Sequence, residues 1–65
     1  MNRIKAGYIS IRTASRALYE FSNAIAERVN DLISVVELGH ADDRMYFISH
    51  MMESIYFKEV DYEEN

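Results

Sequence analysis

Apolar residues recur every seventh position from Ile4: Ile4, Ile11, Leu18, Ile25 and Leu32. A second series, Tyr8, Ser15, Ser22, Val29 and Val36, falls between them, so the combined spacing alternates four and three. Sustained spacing of this kind is the pattern of a helix packing along a seam. Arg12, Arg16, Glu20, Asn23, Glu27, Asn30 and Asp31 lie off the stripe. The pattern predicts a long first helix over about residues 10–38, beginning as early as residue 3.

Turn chemistry points the same way. The chain has no proline, and its only glycines are Gly7 and Gly39. Folds built from many short strands need turn formers. Gly39 follows Leu38 and suits the left-handed position that closes a helix. The beginning is ambiguous. "IKAGYISIRT" also reads as a strand, rich in isoleucine with partial alternation. Gly7 inside a helix would cost roughly 1 kcal/mol relative to alanine. Residues 3–12 therefore stay open between strand and helix.

"GHADDRM" is the natural joint, with Asp42 as N-cap and Asp43 in the first turn of a second helix. On that helix Met45, Ile48, Met51, Met52, Ile55 and Tyr56 gather on one face. Tyr46, His50, Glu53 and Phe57 gather on another, with Phe47 on its flank. The first face packs on helix one. The second has no partner in a two-helix chain, and surplus apolar area on a small protein marks an interface. The expected partner-binding set is thus Tyr46, Phe47, His50, Glu53 and Phe57. The expected core and oligomer seam is Ile11, Leu18, Ile25, Leu32, Val36, Ile48, Met52 and Ile55.

Sixty-five residues make one domain, here residues 1–65. Residues 1–9 are expected to be extended or frayed, and 60–65 to form an acidic tail. So short a chain buries only about 60% of its unfolded surface and usually needs a supplement. Cysteine is absent, which removes disulfides and suits a reducing cytosol. Self-association is the supplement left. The expected fold is all-α: a helical hairpin of one long and one shorter helix, dimerising into a four-helix-type bundle.

Charge is uneven. Arg3, Lys5, Arg12 and Arg16 give residues 1–16 a charge of +4, and residues 17–65 carry −8, for a net charge of −4. The four cations, doubled in a dimer, would form one nucleic-acid contact. The acidic remainder would suit a mimic of nucleic acid. No signal peptide is expected, because Arg12 and Arg16 interrupt any apolar segment. The longest apolar run, Met45 to Ile48, is too short to span a membrane.

Catalytic chemistry finds no footing. His40 and His50 are the only histidines, and neither a metal-binding HExxH nor an EF-hand spacing occurs. Ser49 and His50 are sequence neighbours and cannot face each other on a helix. There is no glycine-rich phosphate loop. No enzyme, metal or cofactor is expected. The order "YISIRT", helix, "ELGHADDRMYFI" resembles that of ribbon-helix-helix repressors. The expected first helix is too long for that fold and the net charge has the wrong sign for a phosphate binder, so no residue role carries over. The reading is a small cytoplasmic regulator, inhibitor or assembly factor that acts by binding another protein. Nucleic-acid binding is the alternative.

Overall fold

Five strands, not two helices, make up the computed structural model, which describes residues 3–40 and 43–61. They are β1 (Arg3–Thr13), β2 (Leu18–Val29), β3 (Leu32–Glu37), β4 (Met45–Ile48) and β5 (Met52–Asp61). A single 3₁₀ turn, Ser49–Met51, separates the last two. The strands form one antiparallel sheet in the order β4-β3-β2-β1-β5. Among the described residues there is no α-helix. The expected all-α hairpin and four-helix bundle are therefore overturned. Residues 3–12, left open above, belong to a paired strand. Helix one is replaced by the end of β1, by β2 and by β3. Helix two is replaced by β4, the 3₁₀ turn and β5. Asp42, the expected helix cap, lies outside the described residues.

The turns manage without proline because other residues take the left-handed backbone. Asn30 (φ 56°) makes the two-residue connection between Val29 and Leu32, which pair directly. Asparagine tolerates that region better than most residues. Arg16 (φ 72°) serves the β1–β2 turn. Gly39 is left-handed at φ 88°, but in a β-turn after β3, where the His40 N–H donates to the Glu37 carbonyl at 3.0 Å. A glycine at this point closes a turn as readily as a helix.

β4 and β5 are joined by three residues yet occupy opposite edges of the sheet. A flat sheet cannot satisfy that. The sheet must curl until its edges approach, as a partly open barrel. The bend is built into one row across three strands. Gly7 would pair with Asn23 on one side and Glu59 on the other, but the ladders skip this row while keeping their register on both sides of it. Asn23 (φ 49°) and Glu59 (φ 59°) are left-handed there. Core residues stand three apart across the row instead of two: Ala6 and Ile9, Phe21 and Ala24, Phe57 and Val60. Each strand thus gives up one residue to the outer face at the same level. An extra residue in a strand bends it and increases its twist.

The core inside the curl is Ala6, Ile9, Ile11, Phe21, Ala24, Ala26, Val35 and Phe47, with Tyr19, Ile33, Met52, Ile55, Phe57 and Val60 packed against it. Of the expected seam, Ile11 and Val36 are buried, while Ile25, Met52 and Ile55 are half-buried. Leu18, Leu32 and Ile48 are exposed at 48%, 44% and 44%. A strand alternates its faces, so helical spacing selected residues from both sides.

Two outcomes check this architecture. Ile9 is fully buried, so Ile9→Ala should cost about 2–4 kcal/mol, whereas Leu18→Asp should stay within about 0.5 kcal/mol in urea melts. Gly7 provides room: an added Cβ would meet the Glu59 Cβ at 3.1 Å and its carboxylate closer still. Gly7→Ala should cost about 1–2 kcal/mol by overpacking. In the Glu59→Gly background, where the obstructing side chain is gone and φ is unstrained, the same change should cost less than half as much. Additive midpoints would disprove the contact.

Candidate binding groove

The short link between the sheet edges creates a concavity at one end of the sheet. Ala14 N–H donates to the Met51 carbonyl at 2.9 Å, tying the β1–β2 turn to the 3₁₀ turn. Ser49 N–H donates to the Asp31 carbonyl at 2.7 Å, tying the same turn to the β2–β3 connection. The β1–β2 turn is itself closed by Thr13 N–H to the Ala17 carbonyl (3.0 Å) and Arg16 N–H to the Thr13 carbonyl (2.9 Å). Three loops are thereby held at one end of the barrel.

Between them lies a groove of about 300 Å³. Tyr19, Phe47 and Met52 form its floor. Tyr46, Ile48 and Met51 form one wall, and Thr13, Ala14 and Ser15 the other. Phe47 is 7% exposed and meets the rings of Tyr19 and Phe21 edge-on, at centroid distances of 5.2 and 6.2 Å. Edge-to-face contact is the favoured arrangement of aromatic pairs and fixes the floor. Tyr46 and Met51 stand up from the rim, 64% and 53% exposed. The Thr13 and Ser15 hydroxyls lie 2.9 Å apart and are the polar groups of the opposite wall. The lining is otherwise apolar, the usual make-up of a site that takes an apolar group.

The expected partner set is divided by this geometry. Tyr46 is on the rim. Phe47 is in the floor and core. Phe57 is half-buried inside the barrel, away from the groove. His50 and Glu53 are exposed beside Met51 and Met52. Tyr46 and Phe57 do not share a face, because β4 and β5 are separate strands at opposite edges. Met51, Met52, Tyr19 and Ser15 are expected from the sequence only as helix-packing residues and Thr13 only as a helix cap, so none of them is expected at a binding site. Buried Phe47 between exposed Tyr46 and Ile48 is strand alternation, but all four residues of β4 are apolar or aromatic, so residue type does not signal it.

The expected basic patch is divided too. Arg12 and Arg16 border the β1–β2 turn next to the groove. Arg3 and Lys5 lie at the other end of β1, about 30 and 23 Å of strand from Arg12. There Arg3 pairs with Glu27 in register, and Lys5 Nζ is 3.9 Å from Asp61. A second cavity, of about 280 Å³, opens at that end and is lined by Ile4, Ala26, Glu27, Arg28, Ile33, Ile55 and Phe57. The outer face of β1 and β5 carries one further cluster. Tyr8 and Tyr56 contact edge-on at 6.2 Å, with Lys58 directly opposite Tyr8 and Arg12 two residues along β1 from the partner of Tyr56. The Tyr8 hydroxyl donates to Glu20 Oε2 at 2.6 Å.

Among the described residues no three His, Cys, Asp or Glu side chains converge as a metal site. Nor is any helix among them long and apolar enough to cross a membrane. No protein-family model matches the sequence, and neither the curated proteins nor the solved structures compared with it give a significant match.

The hydrogen bond to the Glu20 carboxylate raises the Tyr8 phenol above its ordinary value. A raised value means that the fold favours the neutral phenol. That contribution to stability is complete below about pH 10 and is lost as pH rises through the raised value. In ring-carbon NMR titrations Tyr8 should ionise at higher pH in the native chain than in Glu20→Gln, and the alkaline fall in stability should be shallower in Tyr8→Phe. Coincident titrations in the two backgrounds would contradict the bond.

Proposed function

We propose that this chain is a non-enzymatic binding module that recognises another protein through the groove at the 3₁₀ turn. The observation that supports this is the groove itself. An apolar trough lies open beside exposed Tyr46 and Met51, although the core beneath is already closed by Phe47. Its size suits one aromatic or long aliphatic side chain. Arg12 and Arg16, at the two ends of the wall made by Thr13, Ala14 and Ser15, favour acidic residues next to that side chain in the partner. Such a partner would be a polypeptide with an apolar anchor in an acidic stretch. A regulator, inhibitor or assembly factor of cytoplasmic type would act in this way by occupying another protein's surface.

A nucleic-acid reading keeps one support. Tyr8 and Tyr56 with Arg12 and Lys58 combine aromatic faces and cations, as in single-strand binders. Glu20 on the same face and the net charge of −4 weigh against it. Self-association stays an alternative for the same groove, or for the exposed row of Val29, Leu32 and Ile48, which pair across three strands.

One variant separates these readings. Tyr46→Ala with Met51→Ala removes the rim and leaves the core, so the fold should survive. Binding of a protein partner retained by the immobilised wild type should fall at least tenfold, because aromatic anchors commonly contribute about 2 kcal/mol or more. A fall instead in the sedimentation coefficient of the free protein would identify a second copy as the occupant. Unchanged binding and unchanged sedimentation, with salt-sensitive retention of single-stranded DNA lost in Tyr56→Ala, would replace the groove by the outer face.

A further inference from the structure

The sheet turns two unlike outer surfaces to solvent. On β1 and β5 the outward rows are Tyr8 with Lys58, Ser10 with Tyr56 and Arg12 with Ser54, all able to hydrogen-bond to water. On β2, β3 and β4 the row nearest the β2–β3 connection is Val29, Leu32 and Ile48. Directly opposed residues of an antiparallel pair share a face, so these three branched side chains stand side by side. Their neighbours Ile33 and Phe47 pack into the core, and period-two alternation therefore turns the row outward. All three are exposed, Val29 at 60%. Two rows along, Ile25 and Val36 continue the apolar stripe. Val29 and Leu32 line neither the groove nor the second cavity, so this surface is separate from the proposed binding site.

The row between the two apolar ones carries the charges that select an occupant. Glu27 lies opposite Ser34 on the β2 side. From the β4 side, Arg44 Nη1 donates to Ser34 Oγ at 3.1 Å. Both charged residues are exposed. The face is thus acidic towards β2 and basic towards β4. A second copy, turned about a two-fold axis parallel to β3, lays its β4 over this β2. Acid then meets base on both sides of the axis, Val29 meets Ile48, and Leu32 meets its own counterpart. Sheets stacked in this way keep their strands within about 30° of each other. A two-fold contact is self-complementary, so the second copy supplies the matching order of charges by symmetry alone. We infer that the chain forms a homodimer through the outer face of β2, β3 and β4, with Val29, Leu32 and Ile48 as its apolar centre and Glu27 paired with Arg44 across the axis. Association of this kind also adds burial that so short a chain lacks by itself.

Sedimentation equilibrium of the full chain, from micromolar to millimolar concentration, should approach twice the chain mass of 7.6 kDa. In a mixture of differently labelled chains, nuclear Overhauser contacts should connect Val29 methyl groups to Ile48 methyl groups between molecules; within one chain β3 lies between them. Leu32→Lys should weaken the dimer by about tenfold or more, because each contact would bury two unpaired cations, while the amide spectrum stays that of a folded chain. Val29→Lys, at a more exposed position, should do the same and serves if Leu32→Lys disturbs the fold. Arg44→Glu should weaken the dimer, and Glu27→Arg in the same chain should recover part of the loss. Met51→Ala alters the groove rim alone and should leave the dimer unchanged, so the groove and this face fail separately. A monomer throughout the concentration range, a dimer indifferent to both lysine variants, or one broken by Met51→Ala but not by Leu32→Lys overturns the inference. Absence of recovery in the charge exchange overturns the pairing of Glu27 with Arg44.

Discussion

The structure depends on the row in which Gly7 lies between Asn23 and Glu59. Three neighbouring strands each insert one residue at the same level, so the register survives while the sheet bends. Had only one strand done so, its partners would have slipped and the core faces would no longer match. Two left-handed residues that are not glycine are held there, a conformation that costs about 1–2 kcal/mol at each site. The surrounding ladders offset this. In return the sheet curls far enough for a three-residue link to join its opposite edges, and that link makes the groove.

The same row explains why the sequence reads as a helix. Inward positions on β1 are Ile4, Ala6, Ile9 and Ile11, and on β2 they are Tyr19, Phe21, Ala24 and Ala26. Their steps are two, three and two, which together make seven. A seven-residue recurrence therefore arises from bent strands as well as from coiled helices. The heptad series from Ile4 took Ile11 correctly into the core and then ran on to Leu18 and Leu32, which face solvent. Turn chemistry misled in a similar way. Asn30, Arg16 and Gly39 do what a richer set of glycines and prolines does elsewhere, and asparagine at position 30 was the one local cue.

What was legible concerns composition more than shape. The apolar stretch from Met45 to Phe57 does contain the exposed aromatic of the groove, Tyr46, and its neighbours Met51 and Met52. Its division between two sheet edges could not be read, because it depends on pairing with residues about 40 positions earlier, such as Thr13 with Met52. Ambiguity over residues 3–12 was justified: alternation was present there but broken by Gly7, whose role is to leave space for a side chain on another strand. Such long-range requirements leave no local trace. The charge asymmetry was legible as arithmetic, yet pairing carried Arg3 and Lys5 to the far end of the molecule from Arg12 and Arg16.

The position of β5 beside β1 has a consequence for how the chain reaches its fold. Each of the other pairings joins strands that are consecutive in sequence, whereas Lys5 meets Asp61 only after nearly the whole chain has been traversed. Closure of so long a loop carries a large entropic cost before any contact offsets it, and non-local pairing of this kind slows folding. During synthesis the β1–β2 hairpin can form while the outer edge of β1 still lacks its neighbour. For that interval an eleven-residue strand bearing Ile4, Ile9 and Ile11 presents unpaired backbone groups, a template for pairing with other chains. The strand that completes the barrel is thus also the one that ends the period of greatest exposure to aggregation.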